Sequence, residues 1–200
     1  LGIIPFDLKG LMEMKLLAKG NYLTQPVPNQ FRGDEKEVIS IPKFNFSSSL
    51  KEGYLKWTAL PEAIQDISWN LSINSPDTIL QNIGIDLQDF RFKVLDNQTK
   101  GSLKVAGLKM MDVDADLTTD FDLAQIEKFY PLDSGIVLNG KLKINVKAKG
   151  SYQQDKKLFP IINSQISVNE GFIKTPYSDQ AIENISFVLN ILSEKGSYND

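Results

Sequence analysis

A mainly β fold, laid out as a repeated antiparallel meander, is what this 200-residue sequence predicts. Three observations carry the prediction. Apolar and polar residues alternate with period two along most of the chain, short polar or glycine-bearing stretches separate the alternating runs, and the chain matches itself at a fixed offset. The sheet is expected to be curved and either groove-like or sandwich-like, with one short helix at about Asp122–Tyr130.

Taken in order, the first irregular stretch is Tyr22 to Glu37, where Pro26, Pro28, Gly33 and the surrounding charges read as a loop. Ile67, Trp69, Leu71 and Ile73 share one face of a strand, and Phe90, Phe92 and Val94 behave alike. From Met111 to Thr119, Val113, Ala115 and Leu117 oppose Asp112, Asp114 and Asp116. The helix is announced by Asp122 as a cap, by Leu123, Ile126 and Phe129 at helical spacing, and by Pro131 as a stop. Leu138 to Gly150 is the clearest strand. Leu138, Leu142, Ile144, Val146 and Ala148 fall on one side, and Lys141, Lys143, Lys147 and Lys149 on the other. A helix would scatter those lysines around its circumference. Ile185, Phe187, Leu189 and Ile191 close the series. Glu52-Gly53, Asn97–Gly101, Gly107 and Glu170-Gly171 read as hairpin connections.

The self-match is ungapped. Displaced by 118 positions, Ile41–Ile73 lies on Phe159–Ile191 with 12 of 33 residues identical, among them Glu52/Glu170, Gly53/Gly171, Ile67/Ile185 and Leu71/Leu189. Chance gives about two. Upstream, Leu8, Gly10, Ala18, Lys19, Gly20 and Tyr22 fall on Leu138, Gly140, Ala148, Lys149, Gly150 and Tyr152 at an offset of 130. The offset changes by 12 across the Pro26–Lys36 loop, which is therefore the size of an insertion. The expected organisation is 1–40 as the end of one repeat plus the insertion, 41–158 as a complete unit and 159–200 as the start of the next. Leu1 is no initiator and the first residues lack a signal peptide's character, so the chain is read as an internal piece of a longer protein.

Composition narrows the function classes. With 42% hydrophobic residues the chain has the means to build a core. A net charge of -3 and a pI near 5.1 argue against a nucleic-acid partner, which needs a basic field. There is no His and no Cys, which removes the commonest general base, the commonest zinc ligand and all thiol chemistry. Ser47-Ser48-Ser49 has no base partner, and no glycine-rich phosphate loop is present. The chain is read as no enzyme, with no catalytic residues, no metal and no cofactor. Asp112, Asp114 and Asp116 resemble a calcium loop only in spacing. Apolar residues alternate with them and no glycine turn follows, so a solvated strand face is the simpler reading. The same holds for the four lysines as phosphate ligands, and the two stripes would pair if their strands are neighbours.

From Phe121–Leu132, through Leu138–Gly150, to Val168–Tyr177 and Ile182–Ser186, the order of a short "DLA" helix, a Leu-x-Gly-x-Leu strand, a glycine-bearing stretch and an Ile-x-Asn-Ile run resembles the AsmA family of envelope proteins. Glu52–Lys56 and Ile64–Ser68 repeat the last two pieces. The resemblance covers most of the chain from about Ile41 onward. It implies a periplasmic β-groove in a protein anchored in the inner membrane of a Gram-negative cell, with a role in outer-membrane assembly and lipid transport. It also implies a phospholipid or other envelope lipid as partner, and protein partners at the inner and outer membranes. No catalytic residue comes with it. On this reading the lipid-facing strip is Ile67, Trp69, Leu71 and Ile73, then Phe90 and Phe92, Val113 and Leu117, Leu142, Ile144 and Val146, and Ile185, Phe187 and Leu189. The alternative is a β-sandwich adhesion or carbohydrate-binding module of a surface protein.

Overall fold

The computed structural model describes residues 6–26, 36–130 and 132–193. Eleven strands follow in chain order: β1 (Phe6–Lys19), β2 (Leu23–Pro26), β3 (Lys36–Ser40), β4 (Lys43–Trp57), β5 (Ile64–Ser75), β6 (Gly84–Val94), β7 (Asn97–Ala106), β8 (Met111–Asp122), β9 (Val137–Tyr152), β10 (Ile161–Lys174) and β11 (Ile182–Leu192). Nine of them form one antiparallel sheet in the order β1-β4-β5-β6-β7-β8-β9-β10-β11. Only β2 and β3 stand apart, as a small hairpin. The sheet is not closed, since β1 and β11 are its two edges.

The period-two pattern becomes a two-faced sheet because residues directly opposite each other on neighbouring strands project from the same face. The row Met14, Ser48, Leu71, Leu87, Leu103, Ala115, Ala148, Ile162 runs from β1 to β10 through successive partners. A second row runs Phe92, Thr99, Thr119, Ile144, Ile166, Leu189 from β6 to β11. The opposite face carries the aspartate stripe of β8 and the lysine stripe of β9.

No second layer covers the apolar face among the described residues, so a facing sheet, one of the two arrangements expected, is not formed. Buried apolar residues are few: Ile41, Leu50, Ala63, Val94 and Val168. The accessible surface is 14442 Å². A compact protein of 22.4 kDa exposes only about 9,400 Å² by the usual size scaling.

Two of the expected turns are something else. Glu52-Gly53 and Glu170-Gly171 lie inside β4 and β10, where the pairing register slips. They are β-bulges, and the left-handed residue is the acidic one, at φ 52 for both Glu52 and Glu170. Glycine is needed beside them for space. A Cβ on Gly53 would sit 2.8 Å from the Ile67 carbonyl oxygen, and one on Gly171 would sit 2.9 Å from that of Ile185. On the other flank a Cβ on Gly10 would meet the Gly53 Cα at 3.1 Å, and one on Gly140 the Gly171 Cα at 2.8 Å. Asp66, Asp89 and Asn184 also hold positive φ at register slips in β5, β6 and β11. The slips in adjacent strands form a row across β1, β4, β5 and β6 and again across β9, β10 and β11. Each bulge bends its strand and adds twist. Asn97–Gly101, also expected as a connection, begins β7. The turn is Leu95-Asp96, with Leu95 at φ 55.

The repeat is a structural one. Leu50↔Trp69, Gly53↔Ile67 and Leu55↔Ile64 recur 118 residues on as Val168↔Phe187, Gly171↔Ile185 and Ile173↔Ile182. Leu8↔Leu55 and Met12↔Leu50 recur as Leu138↔Ile173 and Leu142↔Val168. Thus β1, β4 and β5 are the counterparts of β9, β10 and β11, and one period contains six strands of the large sheet. The inserted residues extend the β1–β4 connection into the β2–β3 hairpin. Its counterpart after β9 is a tight turn closed by Gln153↔Leu158. Within the expected loop, Leu23–Pro26 and Lys36–Glu37 are strand, while residues 27–35, and Pro131, lie outside the described residues. The helix is shorter than expected: one 3-10 turn, Leu123–Gln125, runs into α1 (Ile126–Phe129), and the Asp122 carboxylate accepts from the Ala124 N–H as foreseen.

Replacing Gly53 by Val forces β4 away from Ile67, as Gly171→Val does for β10 and Ile185. Each is expected to lower stability by about 1–3 kcal/mol, read as a drop in the urea midpoint. Equal midpoints for wild type and both variants would contradict this packing.

Candidate apolar strip

All fourteen residues expected on the strip share the apolar face. Ile67, Trp69, Leu71 and Ile73 of β5 lie opposite Gly53, Leu50, Ser48 and Phe46. Phe90 and Phe92 oppose Gly101 and Thr99. Val113 and Leu117 oppose Gly150 and Val146. Leu142 and Ile144 oppose Val168 and Ile166, which in turn face Phe187 and Leu189, while Ile185 faces Gly171.

At the middle of the strip, Gly101, Ala115 and Ala148 are small, and the taller Leu87, Phe90, Leu103, Leu117 and Val146 stand around them. Together they outline a shallow depression of about 240 Å³. That is smaller than the ~300 Å³ at which small-molecule pockets begin. It is a stretch of a longer surface. Phe90 and Phe92 meet with ring centroids 5.7 Å apart. Two polar contacts lie on this face: the Trp69 indole N–H donates to Ser48 Oγ at 3.2 Å, and the hydroxyls of Thr99 and Thr119 are 2.7 Å apart.

Sequence reasoning missed part of this surface. Leu87 and Leu103 belong to it, but the bulge at Asp89 changes the parity between Leu87 and Phe90, so one alternating run reads as two fragments. Met12, Met14 and Leu16 of β1 also belong, although Leu11 and Leu17 on the other face blur the alternation there. Buried Asn97 carried no sequence signal. Its side chain accepts from the Asp122 N–H at 2.6 Å and donates to the Val94 carbonyl and to Gln125 Oε1, both at 3.1 Å, tying the helical turn to the sheet.

The opposite face is a charge ladder. The acidic stripe of β8 lies directly against the basic stripe of β9: Lys149–Asp114 at 3.0 Å, Lys147–Asp116 at 3.5 Å, Lys143–Asp120 at 3.6 Å and Lys141–Asp122 at 2.6 Å. Lys100 and Lys104 of β7 face β8 from its other side. Most of these side chains are well exposed, so each pair contributes at most a few tenths of a kcal/mol. A wider trough of about 700 Å³ on this face is lined by Gln88, Arg91, Lys100, Asp116, Asn145 and Lys147. Two of its lining charges, Lys147 and Asp116, are already paired with each other.

The Lys141 ammonium, aided by the Ala124 N–H, holds the Asp122 carboxyl below the usual carboxylate range against the opposing effect of burial. Asp77, in the connection before β6, is lowered by hydrogen bonds from the Asn82 side chain and the Ile79 N–H. Among the described residues no group of acidic side chains is arranged to hold a metal ion, and no helix is long and apolar enough to cross a membrane.

Comparison with protein-family models, curated proteins and solved structures finds no match to this chain.

A carboxyl whose folded pKa is depressed contributes stability that is present above its unfolded value and lost as pH falls through the folded one. Stability should therefore decline as pH drops below about 3.9. Asp122→Asn and Asp77→Asn should each flatten that decline, read as urea midpoints between pH 5 and 2. A decline equally steep in both variants would contradict these assignments.

Proposed function

We propose that this chain is a non-catalytic periplasmic segment of an AsmA-like protein of outer-membrane assembly, anchored in the inner membrane in its full-length form, and that its apolar strip shelters phospholipid acyl chains. One observation carries the reading: a single-layer sheet whose apolar face is continuous over nine strands and is left uncovered by the described residues. With ~4.8 Å between strands, eight spacings make a strip about 38 Å long. An exposed acyl CH₂ costs ~0.8 kcal/mol in water, so a sixteen-carbon chain costs ~13 kcal/mol, and a continuous wall offsets that where an isolated pocket would not. Contiguous apolar patches of more than a few hundred Å² are rare on proteins that bind nothing. Interchangeable Leu, Ile, Val and Phe side chains suit a cargo recognised by its tails. The absence of His and Cys from the sequence is in keeping with a role without catalysis. The protein partners at the two membranes follow from the family resemblance alone.

The β-sandwich alternative needs a second sheet over the apolar face. The separate β2–β3 hairpin, four and five residues long, is too small to provide one.

Incubated with vesicles of phosphatidylethanolamine and phosphatidylglycerol and repurified, the chain should carry phospholipid detectable by native mass spectrometry. It should also speed transfer of a fluorescent phospholipid between vesicles. Leu117→Asp, in the centre of the strip, should cut bound lipid at least tenfold, while Asp116→Asn, its neighbour on the charged face, should leave it unchanged. Absence of both binding and transfer in the unaltered chain would defeat the proposal.

A further inference from the structure

We propose that the outer edge of β11 is a socket for one kind of partner, a β6-type strand added antiparallel: apolar at alternate positions, with an acidic left-handed bulge in its middle. The inference comes from the repeat and requires no lipid. β11 is the counterpart of β5 in every feature that the two share. Its pairs with β10 reproduce those of β5 with β4, and its bulge residue Asn184, at φ 55, stands where β5 has Asp66 at φ 51. The outer edge of β5 is occupied. It takes β6 through Ile73↔Ile85 and Leu71↔Leu87, and the Ser68 hydroxyl donates across to the carbonyl of the bulge residue Asp89 at 3.2 Å. The corresponding edge residues Ile191, Leu189 and Ser186 are in place on β11, and among the described residues no strand pairs with them.

The composition of the two edges points the same way. Natural edge strands are guarded by charges, lysines above all, by prolines or by being short. β1 carries Asp7, Lys9, Glu13, Lys15 and Lys19. β11 is eleven residues long, has Glu183 as its only charge and no proline, and exposes Phe187, Val188, Leu189, Ile191 and Leu192. It has the character of an interior strand.

A second copy of this chain in the same orientation does not satisfy the socket. Eight antiparallel steps separate β1 from β11, so the two edges run in the same direction, and joining β11 of one copy to β1 of another would make a parallel pair. Within the repeat, the β5-type strand is followed by β6, β7 and β8 before the next β1-type strand, β9. The fitting partner is thus a β6-type strand leading a hairpin.

The chain has no cysteine, so introduced ones report cleanly. The probe is a synthetic peptide with the β6–β7 hairpin sequence, Gly84–Ala106, carrying Leu87→Cys. In a glutathione buffer it should form a disulfide with Leu189→Cys of the chain at least tenfold faster than with Val188→Cys, which lies on the other face, or with Met14→Cys on β1. Opposed strand residues lie within the Cα separation that a disulfide spans. Circular dichroism checks that each variant keeps its β spectrum. With the unaltered chain and peptide, amide exchange should slow in β11 and not in β1. Equal trapping at the three cysteines, no added protection of β11, or disulfide-linked dimers of the Leu189→Cys chain forming ahead of the peptide adduct would each overturn the proposal.

Discussion

An apolar face on a one-layer sheet is the constraint from which the other features of this protein follow. Most domains bury such a face against helices or a second sheet. Here the described residues do neither, and the strands are held by their neighbours. The contributions are the backbone ladders, the cross-strand pairs on the apolar face, and the weaker charge ladder between β8 and β9 on the other. Every interior strand depends on the one before and the one after it, which is the arrangement of a linear repeat. Long strands suit this, because ten to sixteen residues of ladder per strand compensate for the missing layer.

The bulges give this extended sheet its shape without interrupting it. Glu52, Asp66 and Asp89 occupy left-handed conformations on consecutive strands, and Glu170 and Asn184 do so in the second copy. Each allows a bend at a fixed level while side chains on both sides of it return to the same face. Had these residues ended strands, as hairpin turns do, the apolar strip would have been cut at β4 and β10. The Gly10–Gly53 and Gly140–Gly171 contacts show why the motif repeats as a group. The glycine in one strand clears room for the bulge in the next, so neither residue can change alone.

The two faces divide the work. On one, small residues at Gly101, Ala115 and Ala148 lower the floor beneath taller neighbours, and the hydroxyl and indole groups satisfy one another. On the other, opposite charges face each other in register. A one-residue slip between β8 and β9 would turn Val146 and Ile144 toward solvent and set Asp114 and Asp116 against apolar residues. The charge ladder therefore adds little stability and much register. A sheet with an accessible apolar surface needs such definition, because slipped pairings are its nearest competitors.

Local pattern alone was enough for β5, β8, β9 and β11 and the faces they present. The alternation in Leu138–Gly150, Met111–Thr119 and Ile185–Ile191 states which residues share a side, since side-chain direction on a strand depends only on parity. The repeat, the capping of the short helix by Asp122 and the pairing of acidic with basic stripes were legible for the same reason. Parity fails at a bulge, so Leu87 and Leu103 were lost from the strip, and Glu52-Gly53 and Glu170-Gly171 looked like turns. An acidic residue beside glycine serves a bulge and a tight turn equally well. Only the cross-strand partner distinguishes them, because the Ile67 and Ile185 carbonyls that crowd those glycines come from a different strand. Likewise the sequence declares an apolar face for each strand but not what covers it. Whether nine such faces close on one another or join into one open strip is decided by strand order and by the absence of a facing layer among the described residues, which are properties of the assembled sheet.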